Sequence, residues 1–153
     1  MIFKKNKTTD KPTFYIDSPE LAVTPDAHDI EERLQEAGIA YRVINPGYIV
    51  FSGHILQSDI PLMIGLHYRD DLIDFIEIFR PAECYQAEDF DVDRSFEELS
   101  DMVEKRFGPP TRKSGPDKHQ NRSELWKLND YTISHSVYER FVRQESLSIR
   151  FTS

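Results

Sequence analysis

Cysteine is almost missing from this chain: Cys84 stands alone. A lone thiol forms no internal disulfide, so the chain reads as one kept in a reducing cytoplasm. Cys84 lies among Glu83, Glu88 and Asp89, an acidic setting that disfavours a reactive thiolate. One Cys also rules out the common structural zinc classes. The five histidines show no HxH, HxxH or HExxH spacing. The alternation of Asp89, Asp91 and Asp93 imitates a calcium loop. Arg94 and Ser100, however, stand where that loop needs Gly and Glu. No metal is expected. Long apolar runs are lacking too, and none approaches the ~20 residues that span a bilayer. The basic opening Met1–Lys7 has no apolar stretch after it and does not read as a secretory signal. Positive charge is short, with 19 Lys and Arg against 27 Asp and Glu, a net charge of -8. That balance argues against nucleic acid and against anionic membranes as partners. Glycine-rich phosphate loops, the G-x-S-x-G elbow and S-x-x-K are all absent. The expectation is a protein without a cofactor and without catalytic machinery.

What is present is one domain's worth of core. The 153 residues are 39% hydrophobic and 12% aromatic, and a chain of this length buries roughly 70% of its extended surface. Residues 1–23 read as a poorly organised N-terminal segment, with strand character only at Phe14-Tyr15-Ile16. Residues 24–153 read as a single α+β domain. Thr24 and Pro25 look like the start of a helix whose apolar face is Ala27, Ile30, Leu34 and Ala37, stopped by Gly38. Strands are expected at 41–44, 48–52, 61–69 and 72–79, joined by turns at Asn45-Pro46-Gly47 and Asp70-Asp71. The run Leu72–Phe79 is apolar on both faces apart from Asp74 and Glu77, as a central strand would be. Residues 81–93 read as an acidic loop. Ser95 and Glu98 form an S-x-x-E capping box for a second helix with the stripe Phe96, Leu99, Val103 and Phe107, stopped at Gly108-Pro109-Pro110. A polar loop over 111–122 precedes strands at 124–128, 131–137 and 147–151. The predicted architecture is a mainly antiparallel sheet of about six to seven strands with two helices packed on one face.

The most distinctive composition is the acidic stretch. Glu83, Glu88, Asp89, Asp91 and Asp93 follow one another without a basic residue, and Glu97, Glu98 and Asp101 continue them. Tyr85 and Phe90 are interleaved. Aromatic side chains carry much of the energy at protein interfaces, and charge around them steers an oppositely charged partner. These ten residues are the candidate partner-binding set. The alternative is a solvated acidic loop that keeps the protein soluble. A scattered small-ligand or catalytic site would draw on His67, His135, Tyr131 and Trp126, and it requires a concave pocket that gathers them.

Size, acidity, helix–sheet order and a W-x-L strand (Trp126–Leu128) after an F-G-P helix end (Phe107–Pro109) make the chain resemble small bacterial immunity proteins. The resemblance implies a cytoplasmic inhibitor that binds a toxin or effector, often a basic one, through an acidic surface. It carries no specific motif and transfers no site residue. Type III secretion chaperones are similar in size, acidity and element order. The strand-like Leu147–Phe151, where they end in a helix, counts against that reading.

Overall fold

The computed structural model describes residues 11–139 and 141–152. Among the described residues, ten strands and three helices follow one another: β1 (Phe14–Ser18), β2 (Leu21–Val23), α1 (Ile30–Glu36), β3 (Tyr41–Asn45), β4 (Tyr48–Ile55), β5 (Leu62–Arg69), β6 (Leu72–Phe79), α2 (Ala82–Gln86), α3 (Val92–Phe107), β7 (Arg112–Ser114), β8 (Arg122–Lys127), β9 (Tyr131–Glu139) and β10 (Arg143–Phe151). Nine strands run in the order β2-β1-β4-β5-β6-β10-β9-β8-β7, and β3 pairs with β4 off this path. Every pairing is antiparallel. The expectation of six to seven strands and two helices on one face is therefore corrected to ten strands and three helices. The additional elements are short and carry no periodic apolar signal. β7 is Arg-Lys-Ser, exposed throughout, and is defined by its pairing with β8.

The N-terminal expectation also changes. Residues 1–10 lie outside the described residues, but 14–23 form an ordered hairpin. Phe14, Ile16, Leu21 and Val23 are all buried in the core. The hairpin joins the sheet at Ile16↔Ile55 and Ser18↔His54. Gly53 permits this junction, because a Cβ there would stand 2.5 Å from the Ser18 carbonyl oxygen. Fully burying each large aliphatic or aromatic side chain stabilises the fold by about 1.5–3 kcal/mol, so this segment is structural.

One face of the sheet carries the core in cross-strand rows. Ile49, Leu66, Ile76, Ile149, Ile133 and Trp126 stand opposite one another from β4 to β8. The next row runs Phe51, Ile64, Ile78, Leu147, His135 and Glu124, so its last two places are polar. Ile30 and Leu34 of α1, and Leu99, Met102 and Val103 of α3, join the same continuous core. α1 starts at Ile30 rather than near Thr24. The Pro25 carbonyl accepts from Ile73 N–H and the Ala27 carbonyl from the Tyr68 hydroxyl, so neither is free to open a helix. α3 starts one turn before the expected capping box. Asp91 is its cap and accepts from the N–H groups of Asp93 and Arg94 at 3.0 and 3.3 Å. Ser95 is buried inside the helix with its hydroxyl engaged elsewhere. At the far end Gly108 takes a φ of 84° and its carbonyl accepts from Trp126 Nε1 at 2.9 Å, fastening the helix stop to β8.

Candidate functional site

The segment expected to be an acidic loop contains α2 and a turn. Pro81 begins it, with Cys84 N–H donating to the Pro81 carbonyl, and Phe90 N–H closes the following turn on Ala87. The Tyr85 ring meets Phe90 edge-on, 5.1 Å between centroids. The Tyr85 hydroxyl accepts from Arg80 N–H at 2.9 Å. Burial pushes the Tyr85 phenol up, against the lowering effect of that N–H. The Arg94 guanidinium donates to the Asp89 carbonyl and pins the turn. Glu83, Tyr85, Glu88 and Asp89 are exposed, and Phe90 is half-buried.

α3 distributes the remaining carboxylates differently. Asp93 accepts two hydrogen bonds from Arg143, at 2.7 and 3.2 Å. That guanidinium holds the Asp93 carboxyl below the usual range, against the raising effect of burial. Glu97 pairs with Arg122 at 3.3 Å and Glu98 with Arg80 at 2.8 Å. Asp91 caps the helix. Asp101 is exposed beside a cavity shared with Arg80 and Lys105. The ten predicted residues are thus not one unpaired patch. Arg80, Arg122 and Arg143 reach them from outside the stretch. Among the described residues, Glu83, Glu88 and Asp89 make no ion pair.

A groove of about 460 Å³ lies between α2 and the β9–β10 hairpin; its charged lining is Glu77, Arg143 and Glu145, and none of the three unpaired carboxylates lines it. Its apolar lining is Phe79, Tyr85, Phe90, Val92, Tyr138 and Val142. Phe141, at the hairpin tip, is 94% exposed, and Val142 and Tyr85 are 61% and 44% exposed. The sequence reading missed Tyr138, Phe141 and Val142. Residues 138–144 are ambiguous in pattern, since the alternation of β9 and β10 breaks at their turn.

A second constellation is buried between α3 and the sheet. His135 is fully enclosed. Its Nε2 meets Glu145 Oε2 at 2.6 Å and its Nδ1 lies 3.1 Å from Ser100 Oγ. Ser100 also donates to Glu124. Ser95 donates to Glu145 Oε1 at 2.6 Å and accepts from Arg80 Nε at 3.0 Å. Phe96 stacks on the imidazole at 4.1 Å, with the Arg122 guanidinium on its other side. Serine, imidazole and carboxylate are in hydrogen-bond reach, with the imidazole fully buried. The arrangement ties α3 to β8, β9 and β10. Its signal was present in the sequence: Glu145 alternates with Leu147 and Ile149, and Glu124 with Trp126, which places carboxylates on the core face.

The scattered-site residues do not meet. His135 and Trp126 are buried in the core. His67 is on the opposite face of the sheet, stacked between Tyr48 and Phe75 at 4.0 and 4.1 Å and bonded to Glu77 at 2.9 Å. Burial, with Glu77 beside it, pushes the Tyr48 phenol up to about 12. Tyr131 packs edge-on against Phe14 and Phe107. Among the described residues no group of His, Cys, Asp and Glu is placed to hold a metal ion, and no helix is long and apolar enough to cross a membrane. The chain matches no family model, no curated protein and no solved structure.

Proposed function

We propose that the chain is a protein-binding module of the immunity type, a cytoplasmic inhibitor that neutralises a basic bacterial toxin or effector through the surface around α2. The observation that carries this reading is the groove between α2 and the β9–β10 hairpin, lined by exposed Tyr85, Tyr138 and Val142, with the unpaired and exposed Glu83, Glu88 and Asp89 on the same short segment that contributes Tyr85 and Phe90. Large aromatic and aliphatic side chains left in water, on a segment that also carries exposed carboxylates, match the anatomy of an interface: apolar anchors at the centre and polar groups at the rim. The carboxylates would speed encounter with a basic partner, and the anchors would set its residence time. Asp93, Glu97 and Glu98 belong to the scaffold in this reading, since their own arginines already hold them.

The test is capture of partners from the source cell at low and high salt, followed by binding kinetics. Tyr85→Ala and Tyr138→Ala are expected to speed dissociation by about tenfold or more each, the effect of losing a hot-spot aromatic. Glu88→Ala with Asp89→Ala is expected to slow association and flatten its salt dependence, with dissociation little changed. Capture of a protein whose kinetics ignore all four substitutions would overturn the reading.

A further inference from the structure

We propose that the free edge of β3, together with the cavity opening beside it between α1 and the β5–β6 turn, docks an extended basic segment of a partner protein by strand addition. This surface is separate from the α2 groove, since it sits at the Leu72 end of β6 and the groove sits at the Phe79 end. It does not depend on the reading given to that groove.

Among the described residues β3 pairs with β4 alone, and four of its five residues are exposed. An open edge presents backbone donors and acceptors that a further strand can satisfy. Native edges are usually blocked by lysine, proline or a bulge. Along Tyr41–Ile44 the only charge is Arg42. The pairing irregularity and Pro46 come at the turn end. Val43 and Ile44 are 49% and 47% exposed. Val43 continues the core row of Ile49 and Leu66 but stays half exposed. Beside it is a cavity of about 440 Å³ with Val43, Ile49 and Ile30 in its lining.

The charge of the occupant follows from the rim. Glu31 comes from α1, and Asp70 and Asp71 from the β5–β6 turn. None of the three is in an ion pair among the described residues. His28 is the only other titratable side chain in the lining besides Tyr68. The Tyr68 phenol is pushed up to about 12, first by burial and then by the Asp29 carboxylate, with Glu31 adding and Arg33 opposing. A lysine or arginine fits such a site, its alkyl stem on the apolar floor and its head at the carboxylates. A second copy of this chain would bring the same three carboxylates and a net charge of -8 to the same place, so charge opposes self-pairing.

The test uses the ¹⁵N-labelled full chain and a capped six-residue peptide alternating valine and lysine. Saturable amide shifts are expected across 41–45 and at Glu31, Asp70 and Asp71. A peptide alternating valine and glutamate should give none. Asp70→Asn with Asp71→Asn should weaken binding about tenfold, the scale of two rim charges. Asparagine tolerates the positive φ of 53° and 66° at these positions, so the turn survives. A peptide with a central proline, which lacks the donor for pairing, should bind much more weakly. The proposal is overturned if the proline peptide binds equally well, if the shifts miss β3, or if β3 shifts arise from self-association seen by sedimentation. Tyr85→Ala should leave this binding unchanged, which separates the two surfaces.

Discussion

His135 shows how much one side chain can hold. The imidazole bridges Glu145 and Ser100, and Glu124 lies 4.0 Å from Nδ1. The side chains of Glu124 and Glu145 are only 8% and 5% exposed, so they rely on protein partners rather than on water: His135 with Ser100 and Lys113 at Glu124, and His135 with Ser95 at Glu145. Removing one member of a buried hydrogen-bonded network leaves its partners unsatisfied, which costs about 1–3 kcal/mol. His135→Leu is expected to lower unfolding stability by an amount of that order in urea titrations. Adding Glu145→Gln should restore part of it, because the orphaned charge is then gone. A loss below about 1 kcal/mol for His135→Leu would mean the network contributes little.

At the scale of elements, α3 separates a sequence motif from the group that acts. S-x-x-E at Ser95 and Glu98 has the form of a cap, but Asp91 takes that role a turn earlier. Asp91→Ala should cost about 1 kcal/mol, the usual loss of a cap. Ser95→Ala should cost more, about 1–3 kcal/mol, because Glu145 and Arg80 both lose a partner inside the structure. Thermal unfolding of the two variants ranks them, and the reverse order would mean that the Ser95 contacts with Glu145 and Arg80 contribute little. Glu98 is likewise drawn away, to Arg80. The sequence motif was legible but misplaced, since Arg80 and Glu145 are 15 and 50 residues from Ser95.

For the molecule as a whole, the net charge of -8 conceals a pairing of signs. Asp26 and Asp29 are lowered first by hydrogen bonds from Lys11 and Arg33, Asp93 by Arg143, and Asp117 by backbone N–H groups led by Asn121. A carboxyl lowered in the folded state contributes stability above its unfolded pKa and loses it as the pH falls through the folded one. Acidification below about pH 4 should therefore weaken the fold. Asp93→Asn should lower stability at neutral pH by less than about 1 kcal/mol, since Asp93 is partly solvated and the pair is screened. The difference from the natural chain should vanish near pH 2 if that carboxyl is the cause. Urea midpoints at the two pH values read this directly.

Local signals determined the antiparallel hairpins, the central place of β6, the core stripe of α3 and its stop at Gly108, because alternation, helical spacing and turn chemistry act between neighbours in the chain. The same signals missed β2 and β7, whose three residues each are too few for a pattern. They also moved the starts of α1 and α3, where distant partners claim the Pro25 carbonyl and the Ser95 hydroxyl. The candidate surface was legible only in part. Tyr85, Glu83, Glu88 and Asp89 stand out in composition, but Tyr138 and Val142 join them only through the β9–β10 hairpin. Which carboxylates remain unpaired was decided by tertiary structure alone: Arg80, Arg122 and Arg143 reach Glu98, Glu97 and Asp93 across 18, 25 and 50 residues, and no local pattern encodes a contact at that separation.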